Sequence, residues 1–505
     1  MPPFSEPSAT SQPSSATRSV AAVVVLAAGG GTRMKSGTSK LLHEVAGHSL
    51  LSYVIDAATA VEPEHVVVVV GHAREQVEAH LAEIAPHVTV VVQGDAAYGS
   101  GYAAQCALEQ LPELAGEVLV TVADVPLLTG ETLAGLIAEH RTHQAAATVL
   151  TARVPDPTGY GRIIRDSDGL VSAIVEHKVA SFDQLAVDEI NSGIYVFNAE
   201  TLRSGLREIT ADNAQQELML TDVVSIARGY GHTVSAHLID DLWQTEGVND
   251  RVQLSRLGIE MNRRILERWM RAGVTVVDPS STWVHASVDL APDVTLLPGT
   301  SLEGATSVKS GAVIGPDTTL VDVEVDERAR VSRTQGSLSV IGADASVGPF
   351  AYLRPGTVLG TAGKIGTFVE TKNAQIGNGA KVPHLTYAGD AVISDGANIG
   401  AGTIFANYDG AEKNTSHVGR SSFIGSNSVL VAPVRLGDGS YVAAGSTVTG
   451  DVSPGQLAVA RGQQRNITGW VARKRAGSKS ARAAADALDQ DASAQASAAA
   501  EESQP

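Results

Sequence analysis

Over the first half of the chain, short apolar runs alternate with longer stretches whose apolar residues recur at helical spacing. Strands that alternate with helices predict a mostly parallel sheet covered on both faces. The predicted strands lie at 21–27, 65–70, 88–92, 117–122 and 147–151. This pattern predicts a Rossmann-like α/β domain, in which ligands bind at the carboxyl ends of the strands.

A different pattern follows, in which an aliphatic residue recurs every six positions in three separate registers. The registers are Leu296, Leu302, Val308, Ile314 and Leu320; Ile341, Val347, Leu353, Leu359 and Ile365; and Val418, Ile424, Leu430, Leu436, Val442 and Val448. Glycine frequently follows the apolar residue. A six-residue repeat of this kind is typical of a parallel β-helix, in which three repeats form one triangular coil.

Composition and pattern together divide the chain into five parts. The α/β domain is predicted at 19–251 and the β-helix at 273–471. Apolar residues near helical spacing predict a connecting helix at 252–272. Residues 1–18 and the tail at 472–505 are rich in small and polar residues, and both are expected to be disordered.

Charge and cysteine content narrow the classes of function. The formal net charge of -18 argues against nucleic acid or an anionic membrane surface as a partner. Cys106 is the only cysteine, which we interpret as a buried packing residue, and the lack of a disulfide suits a cytoplasmic protein. We expect neither a membrane span nor a secretory signal, because the chain has no apolar run of about 18 residues and no basic start followed by an apolar core.

The first strand ends in a glycine-rich turn, LAAGGGTRM at 26–34. Such a turn exposes backbone N–H groups that can hold phosphates. Arg33 lies within this turn, and Lys35 and Lys40 follow it. These three residues supply cations for a triphosphate and its pyrophosphate. The spacing fits neither a Walker A loop nor the dinucleotide-binding fingerprint.

The segment LAAGGGTRMKSGTSK resembles the signature L-A-A-G-x-G-T-R-M-x-S-x-x-P-K of sugar-phosphate nucleotidyltransferases. With the hexapeptide repeats, about residues 20–472 resemble the bacterial bifunctional N-acetylglucosamine-1-phosphate uridylyltransferase/glucosamine-1-phosphate acetyltransferase family. The resemblance implies that a C-terminal left-handed β-helix acetylates glucosamine 1-phosphate with acetyl-CoA. It further implies that the N-terminal domain uses Mg²⁺ and UTP to make UDP-N-acetylglucosamine for the cell wall, and that the chain is a homotrimer with acetyl-CoA between subunits.

In the first domain, the resemblance implies a site for the nucleotide and the sugar. Its residues are Leu26, Ala27, Ala28, Gly29, Lys40, Gln93, Gly99, Ser100, Val122, Ala123, Asp124, Gly161, Glu176, Asn191 and Asn249. Among them, the resemblance implies Gln93, Gly99 and Ser100 for the uracil base and Gly161, Glu176 and Asn191 for the sugar. Asp124 and Asn249 are the implied magnesium ligands. Their oxygen atoms suit an ion that binds one or two carboxylates together with substrate phosphates.

In the β-helix, Arg, Lys, His, Tyr and Asn side chains gather between 347 and 408, where a mere spacer needs none of them. Histidine has a pKa suited to taking a proton from an amine, and the resemblance places His384 in this catalytic role. It implies that the amino-sugar phosphate is bound by Arg354, Lys372, Tyr387 and Asn398. For acetyl-CoA it implies Ala401, Asn407, Tyr408, Ser426, Ala444 and Arg461. The segment 407–417 breaks the repeat and is expected to form a loop outside the coil.

The sequence departs from the family pattern at several positions, which bear on specificity and rate. Ser39 replaces a proline, Ser100 a threonine, Tyr102 a histidine, Ala123 a glycine and Met219 a tyrosine.

Two alternative functions stay open at this point. One is a single-activity sugar-phosphate nucleotidyltransferase whose β-helix is only structural, which has no use for His384 with Lys372 and Arg354. The other is a non-enzymatic scaffold for nucleotide sugars, which would not require Asp124 with Asn249.

Overall fold

The computed structural model describes residues 20–213 and 216–502. The extension expected to be disordered at 1–18 lies outside these residues, and so do positions 503–505 of the expected tail.

The N-terminal domain is built on one sheet of nine strands. The first strand pairs in parallel with both of its neighbours, so the carboxyl ends of all three meet at one edge. Across the sheet the order is Val234–Ile239, Ala147–Arg153, Glu189–Asn198, Glu117–Val122, Val20–Ala27, His65–Val70 and Thr89–Val92, with Arg162–Arg165 and Val171–Val175 as a side hairpin.

Two apolar clusters lie against this sheet, and strand residues alternate between them. Val24 belongs to one cluster, whereas Val23 and Val25 belong to the other, as expected for a strand buried on both faces. The α-helices of the domain are Leu50–Thr59, Arg74–Ile84, Ser100–Gln110, Gly130–Thr142, Phe182–Leu185, Ala199–Glu208 and Thr221–Gly229. Shorter elements are the 3-10 helices Thr32–Met34, Lys40–Leu42 and Leu242–Thr245 and the strands Glu44–Val45 and His48–Ser49.

One strand interrupts the parallel arrangement. Glu189–Asn198 runs antiparallel to both neighbours in the sheet. Its sequence, EINSGIYVFN, mixes polar and apolar residues, so it does not stand out as an apolar run. The other pairings outside the side hairpin are parallel, which confirms the mostly parallel sheet.

A helix of 21 residues, Arg251–Arg271, follows the α/β domain. The Asp250 carboxylate accepts hydrogen bonds from two N–H groups of its first turn and so caps the helix. One side of the helix is buried in an apolar core that continues into the β-helix. The buried apolar residues of this helix are Leu257, Met261, Ile265 and Leu266. The two domains are therefore joined by a packed helix rather than by a free tether.

The C-terminal domain is a parallel β-helix in which successive coils pair in register, as Thr295 does with Val313 and Val313 with Arg330. One sheet has 11 strands: Thr275–Val276, Thr295–Leu296, Val313–Ile314, Arg330–Val331, Ser346–Val347, Lys364–Thr367, Lys381–His384, Asn398–Ile399, Phe423–Ile424, Tyr441–Val442 and Leu457–Ala458. The other sheet has 17 strands: Trp283–Val284, Asp289–Leu290, Thr300–Glu303, Ser307–Val308, Thr318–Val325, Thr334–Ile341, Ala351–Leu353, Val358–Leu359, Glu370–Lys372, Gln375–Ile376, Tyr387–Gly389, Ala391–Ile393, Ile404–Ala406, Ser416–Val418, Val429–Val431, Val434–Leu436 and Thr447–Val448.

The interior of the β-helix explains the six-residue repeat. Every member of the three predicted registers is buried, which confirms the repeat. Buried hydroxyls satisfy carbonyls at the corners, as when Thr403 Oγ1 donates to Gly400 O at 2.7 Å. Glycine is required where coils touch: Gly348 has a φ of 95°, and a Cβ there would lie 2.0 Å from Ser332 O.

The chain after the β-helix differs from the expected disorder. Its described part is helical at Trp470–Lys474 and Lys479–Glu502. The second helix is rich in alanine, which has the highest helix propensity, and its described side chains are almost all exposed. Among the described helices, none is long and apolar enough to cross a membrane.

Candidate active sites in the two domains

A cleft of about 860 Å³ opens at the carboxyl ends of the parallel strands in the N-terminal domain. Of the predicted residues, those that line it are Leu26, Ala28, Gly29, Gln93, Gly99, Ser100 and Val122. Ala27 and Ala123 are buried, each 2% exposed. The cleft is also lined by His72, Arg74 and Glu217, which the sequence did not single out.

Two glycines allow neighbouring segments of the chain to pack closely against the glycine-rich turn. A Cβ on Gly71 would lie 2.9 Å from the Ala28 Cβ. Gly31 has a φ of 56°, and a Cβ on it would lie 2.7 Å from the Lys40 Cβ. A side chain at either position would displace the turn or the lysine.

The residues predicted to bind phosphates and metal form two hydrogen-bonded pairs. Lys40 Nζ lies 2.5 Å from Asp124 Oδ2, and the two side chains are only 12% and 19% exposed. Arg33 Nη2 donates to Asn249 Oδ1 at 2.9 Å. Gly247 keeps the Asp124 carboxylate uncovered, because a Cβ there would lie 3.5 Å from its atoms. The Asp124 carboxylate and the Asn249 amide oxygen are therefore each paired with a cation of the same chain.

Three predicted sugar-binding residues meet next to the antiparallel strand Glu189–Asn198. The Asn191 N–H donates to Gly161 O at 2.9 Å, and a Cβ on Gly161 would lie 3.4 Å from Glu176 Oε1. The Tyr195 hydroxyl donates to Asn191 Oδ1 at 3.0 Å and fixes the amide. Burial raises the pKa of the Glu176 carboxyl, and a neighbouring carboxylate raises it further.

In the wall of the cleft, backbone contacts set the start of the helix Ser100–Gln110. Gly99 has a φ of 112°, and a Cβ on it would lie 2.3 Å from Leu218 O. Ser100 Oγ accepts a hydrogen bond from the Leu220 N–H at 3.0 Å. The half-buried Gln93 also lines the cleft, so the three residues predicted to read the base share one cleft.

The C-terminal domain gathers a positively charged group on one face of the β-helix. Arg354 Nη1 donates to Glu370 Oε1 at 2.9 Å, and Glu370 pairs in register with Tyr387 on the next coil. The neighbouring amino group of Lys413 lowers the pKa of Lys372, and the charge of Arg354 lowers it further. A lysine that lies beside two other cations is suited to hold a phosphate.

A network around Asp390 holds the coil beside these cations. Asn407 Nδ2 donates to one Asp390 oxygen at 2.5 Å and Asn373 Nδ2 donates to the other at 2.8 Å. Asn407 is only 7% exposed, so its side chain holds the loop in place. A Cβ on Gly389 would lie 2.3 Å from the Tyr387 hydroxyl, so glycine makes room for this tyrosine.

His384 is exposed at a corner of the β-helix. The corners above it stack through backbone hydrogen bonds from Gly402 N to His384 O (3.2 Å), Asn427 N to Ala401 O (2.7 Å) and Gly445 N to Ser426 O (2.8 Å). Ala401, Ser426 and Ala444 consequently line one edge in order above His384. The Arg461 Cδ lies 4.0 Å from an ideal Cβ on Gly445, at the end of this edge.

The remaining predicted residues lie on either side of that corner. Asn398 is in register with Lys381, which belongs to the same strand as His384. Tyr408 is exposed in the loop that leaves the coil, and its hydroxyl donates to Gly410 O at 2.7 Å.

Comparison with known proteins adds to this geometry. The MobA-like NTP transferase domain family matches residues 23–219, and six bacterial transferase hexapeptide repeats match 415–450. The Bifunctional protein GlmU of Corynebacterium efficiens is 52% identical over 477 residues, which cover 94% of this chain and 98% of the relative. The GlmU of Pseudarthrobacter chlorophenolicus is 54% identical, with 94% and 97% covered. The chain belongs to the GlmU family.

A further GlmU protein, from Rhodococcus jostii, is 55% identical over 92% of this chain and 95% of its own. Among solved structures, the inositol-1-phosphate CTP transferase from T. maritima matches at a TM-score of 0.37 with 16% identity, over 44% of this chain and 87% of that chain.

Two of the positions that depart from the GlmU pattern, Ser39 and Ala123, directly precede Lys40 and Asp124, and Ser100 lines the cleft. Ser39 keeps an N–H group that proline lacks, and this group donates to Gln76 Oε1 at 2.9 Å. Tyr102 is half-buried against an apolar cluster, and Ala123 N donates to Leu26 O at 3.1 Å. The Met219 carbonyl accepts a hydrogen bond from a backbone N–H in the segment that meets the helix at 100–110.

Lys413 is a candidate binding residue of this GlmU chain that the sequence did not reveal. It lies in the loop at 407–417 and forms an antiparallel bridge with Tyr408. The only sequence signal is a lysine inside a loop already expected to line a binding site. Its proximity to Lys372 depends on how that loop folds back, which the repeat pattern does not specify.

Proposed function

We propose that this protein makes UDP-N-acetylglucosamine in two steps at two separate sites. The β-helix acetylates glucosamine 1-phosphate with acetyl-CoA, and the α/β domain then transfers UMP from UTP to the product. The proposal rests above all on one observation: a half-buried pair of Lys40 with Asp124 lies in one domain, and an exposed His384 and a group of cations lie in the other.

In uridylyl transfer, an oxygen of N-acetylglucosamine 1-phosphate attacks the α-phosphorus of UTP, and pyrophosphate leaves. The glycine-rich turn presents N–H groups to the phosphates, and Lys40 and Arg33 offset their charge. Gln93, Gly99 and Ser100 are proposed at the base. Glu176 and Asn191 are proposed at the sugar, where Gly161 leaves the space.

We assign Mg²⁺ to Asp124 and Asn249. The open space that Gly247 leaves at the Asp124 carboxylate fits an ion, and oxygen donors are the ligands that Mg²⁺ prefers. The described residues form no cluster of three or more His, Cys, Asp or Glu able to hold a metal alone, so phosphates and water would supply the remaining ligands. The ion would offset negative charge that builds up on the phosphates.

In acetyl transfer, the amino nitrogen of the sugar attacks the thioester carbonyl, and the bond to sulfur breaks to release CoA. His384 takes the proton that the amine loses. Arg354, Lys372 and Lys413 are proposed to bind the sugar phosphate, with Tyr387 and Asn398 at the sugar. Acetyl-CoA is proposed along the edge of Ala401, Ser426, Ala444 and Arg461, with Tyr408 nearby and Asn407 holding the loop.

We further propose a homotrimer that acts in the cytoplasm. A single cysteine suits the reducing cytoplasm. In support of assembly, Phe350 and Phe368 stack with ring centroids 5.5 Å apart while they are 54% and 59% exposed. Aromatic rings left in water on adjacent coils are suited to be covered by another subunit.

Two substitutions test the division of labour. We expect His384→Ala to abolish release of free CoA with glucosamine 1-phosphate while pyrophosphate release from UTP stays within about two-fold. Asp124→Ala should do the reverse, because each residue serves one reaction only. Removal of Mg²⁺ with a chelator should likewise stop only pyrophosphate release.

The same assays decide between the alternatives. No CoA release by the wild-type trimer would favour a nucleotidyltransferase with a structural β-helix. Loss of both activities in either variant, with the trimer intact, would contradict independent sites.

A further inference from the structure

Gln76 holds the loop that leads into Lys40. Its side-chain Oε1 accepts the Ser39 N–H at 2.9 Å, and its Nε2 donates to Gly37 O at 3.0 Å. Gln76 itself lies in the first turn of the helix Arg74–Ile84, which belongs to the next strand–helix unit of the sheet. One amide side chain therefore ties two backbone groups of the loop to a neighbouring rigid element.

The hydrogen bond between Ser39 and Gln76 is important because Ser39 is buried. Ser39 is only 8% exposed, so its N–H would lack a partner if Gln76 were truncated, and a buried unpaired donor is costly. Lys40 follows directly, at the start of the 3-10 helix Lys40–Leu42. A shift of the loop would move the lysine, whose Nζ lies 2.5 Å from Asp124 Oδ2.

We infer that Gln76 is a positioning residue for Lys40 in nucleotidyl transfer, an inference that rests on the proposed function of the N-terminal cleft. Gln76 acts through the backbone at 37–39. Displacement of a phosphate-binding group by about 1 Å can lower a rate strongly, since catalysis of this kind depends on positioning.

The backbone conformation at Ser39 allows a test that separates the positioning of Lys40 from any other role of Gln76. Its φ is -51°, which lies within the range that proline adopts. A proline there fixes the loop without Gln76. Its ring would, however, occupy the place where the Gln76 oxygen now accepts the N–H. The Gln76 side chain therefore cannot keep its present position when a proline stands at position 39.

The experiment compares Gln76→Ala, Ser39→Pro and the double variant in the full-length protein. We expect Gln76→Ala to lower kcat for pyrophosphate release about ten-fold with little change in KM for the sugar phosphate, because positioning of Lys40 matters most as charge develops. Ser39→Pro alone should lose about three-fold. The double variant should exceed Gln76→Ala and return to within about three-fold of wild type.

Glu83→Ala, at the exposed far end of the same helix, is the matched control and should leave activity unchanged. CoA release reports on the other domain and should stay unchanged in every variant. Wild-type activity in Gln76→Ala, or losses that simply multiply in the double variant, would overturn the inference. Absence of pyrophosphate release by the wild-type protein would instead reject the proposed function.

Discussion

Lys413 belongs, with Arg354 and Lys372, to the positive group on the β-helix. Its position beside Lys372 depends on tertiary structure. It approaches Lys372 closely enough to lower the pKa of that lysine. Both side chains stay exposed enough to meet a ligand. A dianionic phosphate between them would offset the repulsion, so binding and charge are linked at this place.

We predict that Lys413→Met raises KM for glucosamine 1-phosphate about ten-fold and changes kcat little, because it removes charge at the phosphate and not at the reacting amine. The pKa of Lys372 should rise in this variant, since the neighbouring ammonium group is gone. Steady-state kinetics of CoA release across alkaline pH measure both effects. Lys309→Met, at an exposed position of an early coil, is the control. An unchanged KM would contradict the role of Lys413.

Single residues show where sequence reasoning reaches and where it stops. The glycine-rich turn was recognisable because a run of small residues after a strand is typical of phosphate-binding turns, and all the residues predicted for the base lie in one cleft. Lys413 and Gln76 could not be found in this way. Each acts across a loop, and the partner in space is set by how the loop folds rather than by spacing along the chain.

At the scale of elements, the helix Arg251–Arg271 carries the strongest concentration of ion pairs. Arg264 donates to both oxygens of Asp241 at 2.8 Å and to Glu260 at 2.7 Å. Arg263 also binds Glu260, whose side chain is only 8% exposed. On the same helix, Asn262 Oδ1 accepts the Val284 N–H of the first coil at 3.0 Å. The helix is thus fixed to both domains.

We predict that Arg264→Met lowers the free energy of unfolding by about 2 kcal/mol, because it leaves a buried carboxylate with one partner fewer. Arg271→Met removes a pair whose arginine is 78% exposed and should cost less than about 0.5 kcal/mol. Urea unfolding followed by circular dichroism measures both. Equal effects of the two substitutions would contradict the importance of burial.

The same network predicts the pH dependence of stability. Hydrogen bonds from Arg263 and Arg264 lower the pKa of Glu260, and a hydrogen bond from Arg264 lowers that of Asp241. A carboxyl group with a lowered pKa in the folded state stabilises fully above its unfolded pKa, about 4. This stabilisation disappears as pH falls through the folded pKa. Glu260→Gln should therefore flatten the loss of stability below about pH 4, and an unchanged slope would contradict it.

Elements differed in how well the sequence predicted them. The six-residue repeat was recognisable because each coil needs inward aliphatic residues at fixed intervals. The strand Glu189–Asn198 was not, because polar residues such as Asn191 and Ser192 interrupt the apolar pattern. The helix at 479–502 was expected as disordered tail, since it has no apolar face to bury, yet its alanines favour a helix without packing.

At the scale of the whole molecule, an exposed apolar ladder runs beside His384. Phe350, Phe368 and Leu385 occupy successive corners and are 54%, 59% and 61% exposed. Apolar side chains left in water on three successive corners are suited to be covered by another subunit.

We predict that Phe350→Asp with Phe368→Asp converts the proposed trimer to a monomer, because charge would replace the proposed apolar contact between subunits. CoA release should fall at least about ten-fold, since acetyl-CoA is proposed to lie between subunits, whereas pyrophosphate release should change less than about two-fold. Sedimentation analysis with both assays measures this. Leu338→Asp is the control: Leu338 is 58% exposed, but Gly356 occupies the corner that follows it, so the trimer should persist. A trimer that survives the double substitution would show that the ladder faces water in the assembled enzyme.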